Sequence, residues 1–174
     1  MTTPTTKTTT RKKKVELPPN PFDHEILDYV ESQRTKPKKV QALQEHRDDS
    51  LTAVLIWNFD ERVQSAIPEG DVPYNPNEVP VGTDHTSLRK EWKNLYHFLK
   101  GGNDTLSTIR RETMFIQMLE GLHPEEAKII CLVKDKKLTE RYKLTKEIVS
   151  AAFPDITWGE NCLLYTSPSP RDRG

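Results

Sequence analysis

Cysteine is almost missing from this 174-residue chain; Cys131 and Cys162 are the two. A disulfide framework or a cysteine-rich zinc site needs more thiols at closer spacing. So few free thiols suit a reducing compartment. Long apolar runs are missing too: nothing reaches the roughly 18 residues that a membrane-spanning helix requires. The opening "MTTPTTKTTTRKKK" contains no apolar stretch and does not read as a secretory signal. Neither GxxxxGK[ST] nor GxGxxG occurs, so the familiar phosphate-cradling loops are excluded, and no HExxH is present. The five histidines, His24, His46, His85, His97 and His123, never fall at metal-ligand spacing and read as surface or capping residues. No nucleophile–base or metal constellation can be assembled from the pattern. The chain therefore reads as non-catalytic, with no catalytic residue, metal or cofactor to assign.

Net charge is also absent, 26 Lys and Arg against 26 Asp and Glu, but the balance hides an asymmetry. Residues 1–20 carry five cations against Glu16, a net +4, and the last residues add +1, so the body is left at −5. An acidic body with a basic arm is not the pattern of a domain that grips DNA with its whole surface. Only 34% of residues are hydrophobic and 30% are charged, so the core is modest and smaller than the chain. The Thr/Lys/Pro composition of residues 1–20 cannot offset the entropy of ordering, and this arm is expected to be disordered.

What remains is helical in pattern. Phe22, Ile26, Tyr29 and Val30 share one helical face of "PFDHEILDYVESQR". Thr35 can cap "TKPKKVQALQEHR", with Pro37 in its first turn. "SLTAVLIWNF" is β-branched enough for a strand but has no partner strand in view, so it reads as a buried helix. Residues 67–82 hold Pro68, Pro73, Pro76 and Pro80, which exclude helix and predict a long ordered loop. "SLRKEWKNLYHFLKGG" restores a stripe of Leu88, Trp92, Leu95, Tyr96 and Leu99, stopped by Gly101 and Gly102. Asn103, Asp104 or Thr105 caps "LSTIRRETMFIQMLEGL", whose apolar centre makes it the expected central helix, with Ile116 and Leu119 buried and Trp92 nearby. "HPEEAKIICLVKDKK" starts at Pro124, and "LTKEIVSAAF" is capped by Thr145 and ended by Pro154. The expected fold is all-α: a compact bundle of six or seven short helices over residues 21–158, with one Pro-rich loop and disordered termini.

Four features carry functional expectations. Arg111 and Glu112 precede Phe115 and Ile116 by one turn, so both charges face toward the core and need partners: backbone carbonyls or a carboxylate for Arg111, a Lys or Arg for Glu112. Arg110 points about 100° away, toward solvent, a protein partner or a phosphate. The Pro-rich loop reads chiefly as structural cover, or else as presenting Tyr74 and Asn75 to a partner. The arm cations Arg11, Lys12, Lys13 and Lys14 would bind nucleic acid weakly and in a salt-sensitive way. In "KGGNDTLS" glycines precede a helix start; an ordinary C-cap followed by an N-cap accounts for them.

The end, "NCLLYTSPSPRDRG", has no helical or strand period, and Pro168 and Pro170 exclude both elements. It reads as an irregular tail from residue 159. Reverse-translated, Cys162 to Asp172 resembles the transposase-end and adapter sequence of short-read DNA libraries, which marks 162–174 as read-through rather than natural protein. Upstream, "IPEGDVPYNPNEVPVGTDHTSL" and "LYHFLKGGNDTLSTIRRETMFIQMLEGLHPEEAKIICLVKDKKL" resemble an uncharacterised family of tailed, T4-like bacteriophages of marine bacteria, over about residues 36–157. The resemblance implies a phage product in the cytoplasm of an infected bacterium and supplies no activity. The expected function is a helical interaction or accessory protein that binds a phage or host complex. The alternative is a nucleic-acid accessory protein using the basic arm and Arg110/Arg111. Removing residues 1–20 and 162–174 is expected to leave the thermal midpoint of the body unchanged, because neither end contributes buried apolar area. A large loss on trimming 162–174 contradicts the read-through assignment.

Overall fold

The computed structural model describes residues 16–19, 21–77, 86–156 and 158. The expectations for Arg11–Lys14, for the read-through tail and for the far part of the Pro-rich loop lie outside the described residues. Within them the architecture is all-α. Eight α-helices follow in order: α1 Asp23–Ser32, α2 Lys36–Glu45, α3 Asp49–Phe59, α4 Leu88–Glu91, α5 Thr108–Gly121, α6 Pro124–Lys134, α7 Leu138–Tyr142 and α8 Lys146–Ala152. A 3-10 helix, Trp92–Phe98, continues α4. Two isolated β-bridges, Ser65 with Leu99 and Thr86 with Leu122, stitch loops to helix ends.

The central helix is α3 rather than α5. Leu51, Val54, Leu55 and Trp57 are fully buried and Ala53 and Ile56 nearly so, because this helix is apolar on every side and can only sit inside. α3 packs on α4, α6 and the 3-10 helix, while α2 packs on α1 and α8. Polar groups at both ends of α3 find partners. Asp48 accepts from the Leu51 N–H at 2.7 Å, an N-cap. At the other end Lys136 Nζ donates to the carbonyls of Trp57 and Asp60, both at 2.8 Å. Asn58 Oδ1 accepts from the Leu138 N–H at 3.0 Å and so fixes the start of α7, a helix the sequence pattern did not reveal.

α5 is amphipathic: Phe115, Met118 and Leu119 are buried, but Ile116 is only half-buried. The difference is angular. Phe115 and Leu119 are four residues apart on the inner face, and Ile116 is rotated toward the Pro-rich loop. The cap of α5 is Ser107, whose side chain accepts from the Arg110 N–H, not a residue of 103–105. The stripe after Leu88 also differs from expectation. Winding tightens to 3-10 after Glu91, which aligns Leu95 with Phe98 at i and i+3; these two and Leu99 are buried, and Tyr96 is half-exposed. Gly101 has φ +81°, and a Cβ on Gly102 would sit 1.9 Å from the Tyr96 carbonyl oxygen, so both glycines are required by the chain reversal.

Leu119→Ala should cost about 2–5 kcal/mol, the range for emptying a filled core site. Ile116→Ala, at a groove wall that water reaches, should cost about 1 kcal/mol. Urea melts compare them: equal shifts would contradict the placement of the two side chains.

Candidate functional site

Charged groups concentrate at three places, the first of them inside. The starts of α1, α3, α4 and α6 converge on Asp23, Asp48, Ser50 and Glu126. Asp23, Ser50 and Glu126 are all within 1% of complete burial. Ser50 Oγ lies 2.6 Å from Asp23 Oδ2 and 2.7 Å from Asp48 Oδ1. Glu126 accepts from the Leu88 N–H at 3.2 Å and from the Asp23 N–H. Burial, reinforced by the neighbouring Asp48 carboxylate, pushes Asp23 up to about 8. Burial raises Glu126 to about 7 against those two N–H bonds. Asp48 is also pushed up by burial, but hydrogen bonds from Leu51, Ser50, Asp23 and Arg89 leave it below its ordinary value. One ionised acid is thus held beside neutral ones. The Asp23 proton is suited to Oδ2, which lies against Ser50: the hydroxyl can accept from Asp23 and donate its own single proton to Asp48, while Asp23 Oδ1 is buried without a hydrogen-bond partner. Beside the cluster, His24 and His123 stack at 4.7 Å, so these two histidines meet in space although they are far apart in sequence. Burial and His123 hold His24 below its ordinary value, and His123 Nδ1 caps α6 by accepting from the Glu125 N–H.

The second place is the Pro-rich segment, which packs as a strap over α6. Lys134, 3% exposed, donates from Nζ to the carbonyls of Pro68 and Gly70 and to Asp135. Val72 and Tyr74 pack on the core edge. The Tyr74 hydroxyl meets Cys131 Sγ, and burial, then that thiol, raises the phenol to about 12. The Asn75 N–H donates to Glu120 at 3.2 Å. Between strap and α6–α7 runs a cleft of about 460 Å3 whose walls include Tyr74, Cys131, Lys128 and Arg141.

The third place is α5. Arg111 turns inward: Nε donates to the His97 carbonyl at 2.9 Å and Nη2 to the Asn103 carbonyl at 2.8 Å, so its guanidinium closes the turn between the 3-10 helix and α5. Arg110 is exposed and forms no ion pair among the described residues. One turn below it on the same side lies Met114, then Gln117 and Met118. Met114, Gln117 and Met118 line a groove of about 410 Å3 between α5 and the 3-10 helix, together with Phe98, Thr86, Glu91, Asn94 and His97.

The expected site residues therefore do not form one site. Tyr74 and Asn75 sit against Cys131 of α6 and the C-terminal end of α5. Arg110 lies ten residues before Glu120, about 15 Å along the same helix. Glu112 forms no ion pair with a Lys or Arg among the described residues; it is half-exposed and lines a small groove with Ile67, Val72 and Ile116, so it needs no buried partner. Lys134 and Glu126 escaped sequence reading because "LVKDKK" and "HPEEAK" look like ordinary solvated helix ends. Among the described residues no group of three or more His, Cys, Asp or Glu is placed to hold a metal ion. No described helix is long and apolar enough to cross a membrane.

Residues 26–140 match a family described as a family of unknown function, DUF6433. No curated protein and no solved structure matches the chain.

The acid cluster predicts the pH dependence of stability. Asp23, raised from 3.8 to about 8, and Glu126, raised from 4.5 to about 7, keep protons in the folded chain that the unfolded chain has released. Stability therefore falls as pH rises through this window and levels off above about 8. His24 and His97, both lowered from 6.5, act in the opposite sense and only below that value. From pH 7 to 8.5 the thermal midpoint should fall, and Asp23→Asn should flatten most of the slope. A midpoint that rises over this interval would show the cluster to be ionised in the fold.

Proposed function

The chain belongs to the family of unknown function DUF6433, and we propose that it is a non-catalytic helical interaction protein that docks onto a protein complex through the groove of α5. In this reading it is encoded by a tailed, T4-like phage of marine bacteria and works in the cytoplasm of the infected host. The observation that carries the docking face is the stripe Arg110, Met114, Gln117 and Met118. It sets the exposed Arg110 one turn from a groove lined by the half-buried Met114 and by Gln117, with the edges of the largely buried Phe98 and Met118 beside them. Methionine side chains adapt to several shapes at low cost. The complementary occupant is an amphipathic helix of the partner, its apolar face on Phe98, Met114 and Met118 and a carboxylate opposite Arg110.

The two arginines separate function from structure. Arg111→Ala should cost about 1.5–3 kcal/mol in urea melts, because it removes charged hydrogen bonds to carbonyls of a closed turn. Arg110→Ala should shift stability by no more than about 0.5 kcal/mol. A photo-crosslinker at Gln117, used in phage-infected cells, should trap a discrete protein that Arg110→Glu loses and Lys143→Gln keeps. An unchanged crosslinked set with Arg110→Glu would overturn the docking face.

A further inference from the structure

α2 and α8 lie side by side and run in the same direction. Near their starts Lys36 Nζ pairs with Glu147 at 2.8 Å, and near their ends Gln44 Nε2 donates to the Ala152 carbonyl at 3.2 Å. Segments far apart in sequence, "RTKPKK" at 34–39 and "RYKLTK" at 141–146, therefore meet at one end of the molecule. Arg34, Lys38, Lys143 and Lys146 are exposed there and Lys39 is half-exposed. Of the carboxylates at this end, Glu147 is engaged by Lys36, and Asp28 and Glu31 by Arg141, which leaves Glu140 of α7 as one exposed acid against five cations without ion pairs. Arg34, Lys38, Lys39, Lys143 and Lys146 form no ion pair among the described residues. Lys146 instead stands 5.1 Å over the ring of Trp158. No acid lies in the first turn of α2 to relieve the repulsion among these cations.

We infer that this end of the molecule is a nucleic-acid backbone-binding surface, formed by Arg34, Lys38, Lys39, Lys143 and Lys146. Clustered cations in excess over their neighbouring acids, on an otherwise acidic body, match a phosphate chain, which recruits them through counterion release without base contacts. A protein partner fits less well, because such interfaces have an apolar centre and the exposed large hydrophobic among the described residues, Ile109, belongs to α5. An anionic membrane fits less well for a related reason: charge without an apolar or lipid anchor holds weakly. The surface is separate from the α5 groove and does not depend on the partner proposed there. It is also separate from Arg110 and Arg111.

The test uses the full chain and fluorescence anisotropy with a labelled 20-nucleotide single strand and a duplex of the same length, from 50 to 200 mM salt. The variant is Arg34→Gln/Lys38→Gln/Lys39→Gln/Lys143→Gln, with circular dichroism to verify that it is folded. It should bind at least about tenfold more weakly at 50 mM salt, with a log K against log salt slope shallower by about 2–3. Lys38→Arg/Lys39→Arg/Lys143→Arg should retain wild-type binding. Neutralising Arg11–Lys14 separately should leave the step between wild type and the quadruple variant in place. Absence of binding by the wild type at 50 mM salt, or equal binding by the quadruple variant, would overturn the inference. So would equal or tighter binding to polyglutamate or to vesicles containing about 30% phosphatidylserine.

Discussion

The Glu126 carboxylate accepts from the first N–H of α4 and from the first N–H of α1, while itself belonging to the first turn of α6. Three helix starts are thereby joined at one side chain. Asp48 caps α3 and reaches Asp23 through Ser50, which brings in a fourth. Each helix start carries unsatisfied N–H groups that must be answered if buried. Here the acids of neighbouring helices answer several of them. Burial then decides their charge: full ionisation of three adjacent carboxylates would be prohibitively costly, so Asp23 and Glu126 are held toward neutrality while Asp48 keeps its charge. The outer features depend on this arrangement, since α4 leads into the 3-10 helix that walls the α5 groove and α6 carries the residues that pin the strap.

Cations act at the far end of α6, one of them, Lys134, buried. Lys134 and Lys136, at the end of α6 and just beyond it, reach back to carbonyls of the strap and of α3. Cations at carbonyl-rich helix ends and acids at N–H-rich helix starts follow one electrostatic rule. The consequence for function is a frame that positions two proposed working surfaces, the groove of α5 and the basic end where the starts of α2 and α8 meet the connections that precede them. The strap, where Tyr74 and Asn75 lie, is committed largely to covering α6.

Much of the fold was legible because helical periodicity and end signals are local properties. Thr35 and Thr145 do cap α2 and α8, Pro124 does open α6, and the all-α class follows from these together. The inward aim of Arg111 was also legible, from its position one turn before Phe115. The identity of its partners was not, because the carbonyls of His97 and Asn103 present no side-chain signal.

Local sequence determined most of the helical segments and several of their caps, since these depend on residues within a turn or two of each other; the short α7 and the half-burial of Ile116 on α5 were decided by packing. It could not rank those helices by depth: α3 became central because every side of it had to be covered, and only the assembled neighbours could cover it. Tertiary structure alone decided that Glu126 and Asp23 would be buried, that His24 and His123 would stack, and that "RTKPKK" would face "RYKLTK". Each of these pairings joins segments tens to more than a hundred residues apart. Their energies come from burial and Coulomb interaction at contact distance, quantities that do not exist until the chain has closed on itself.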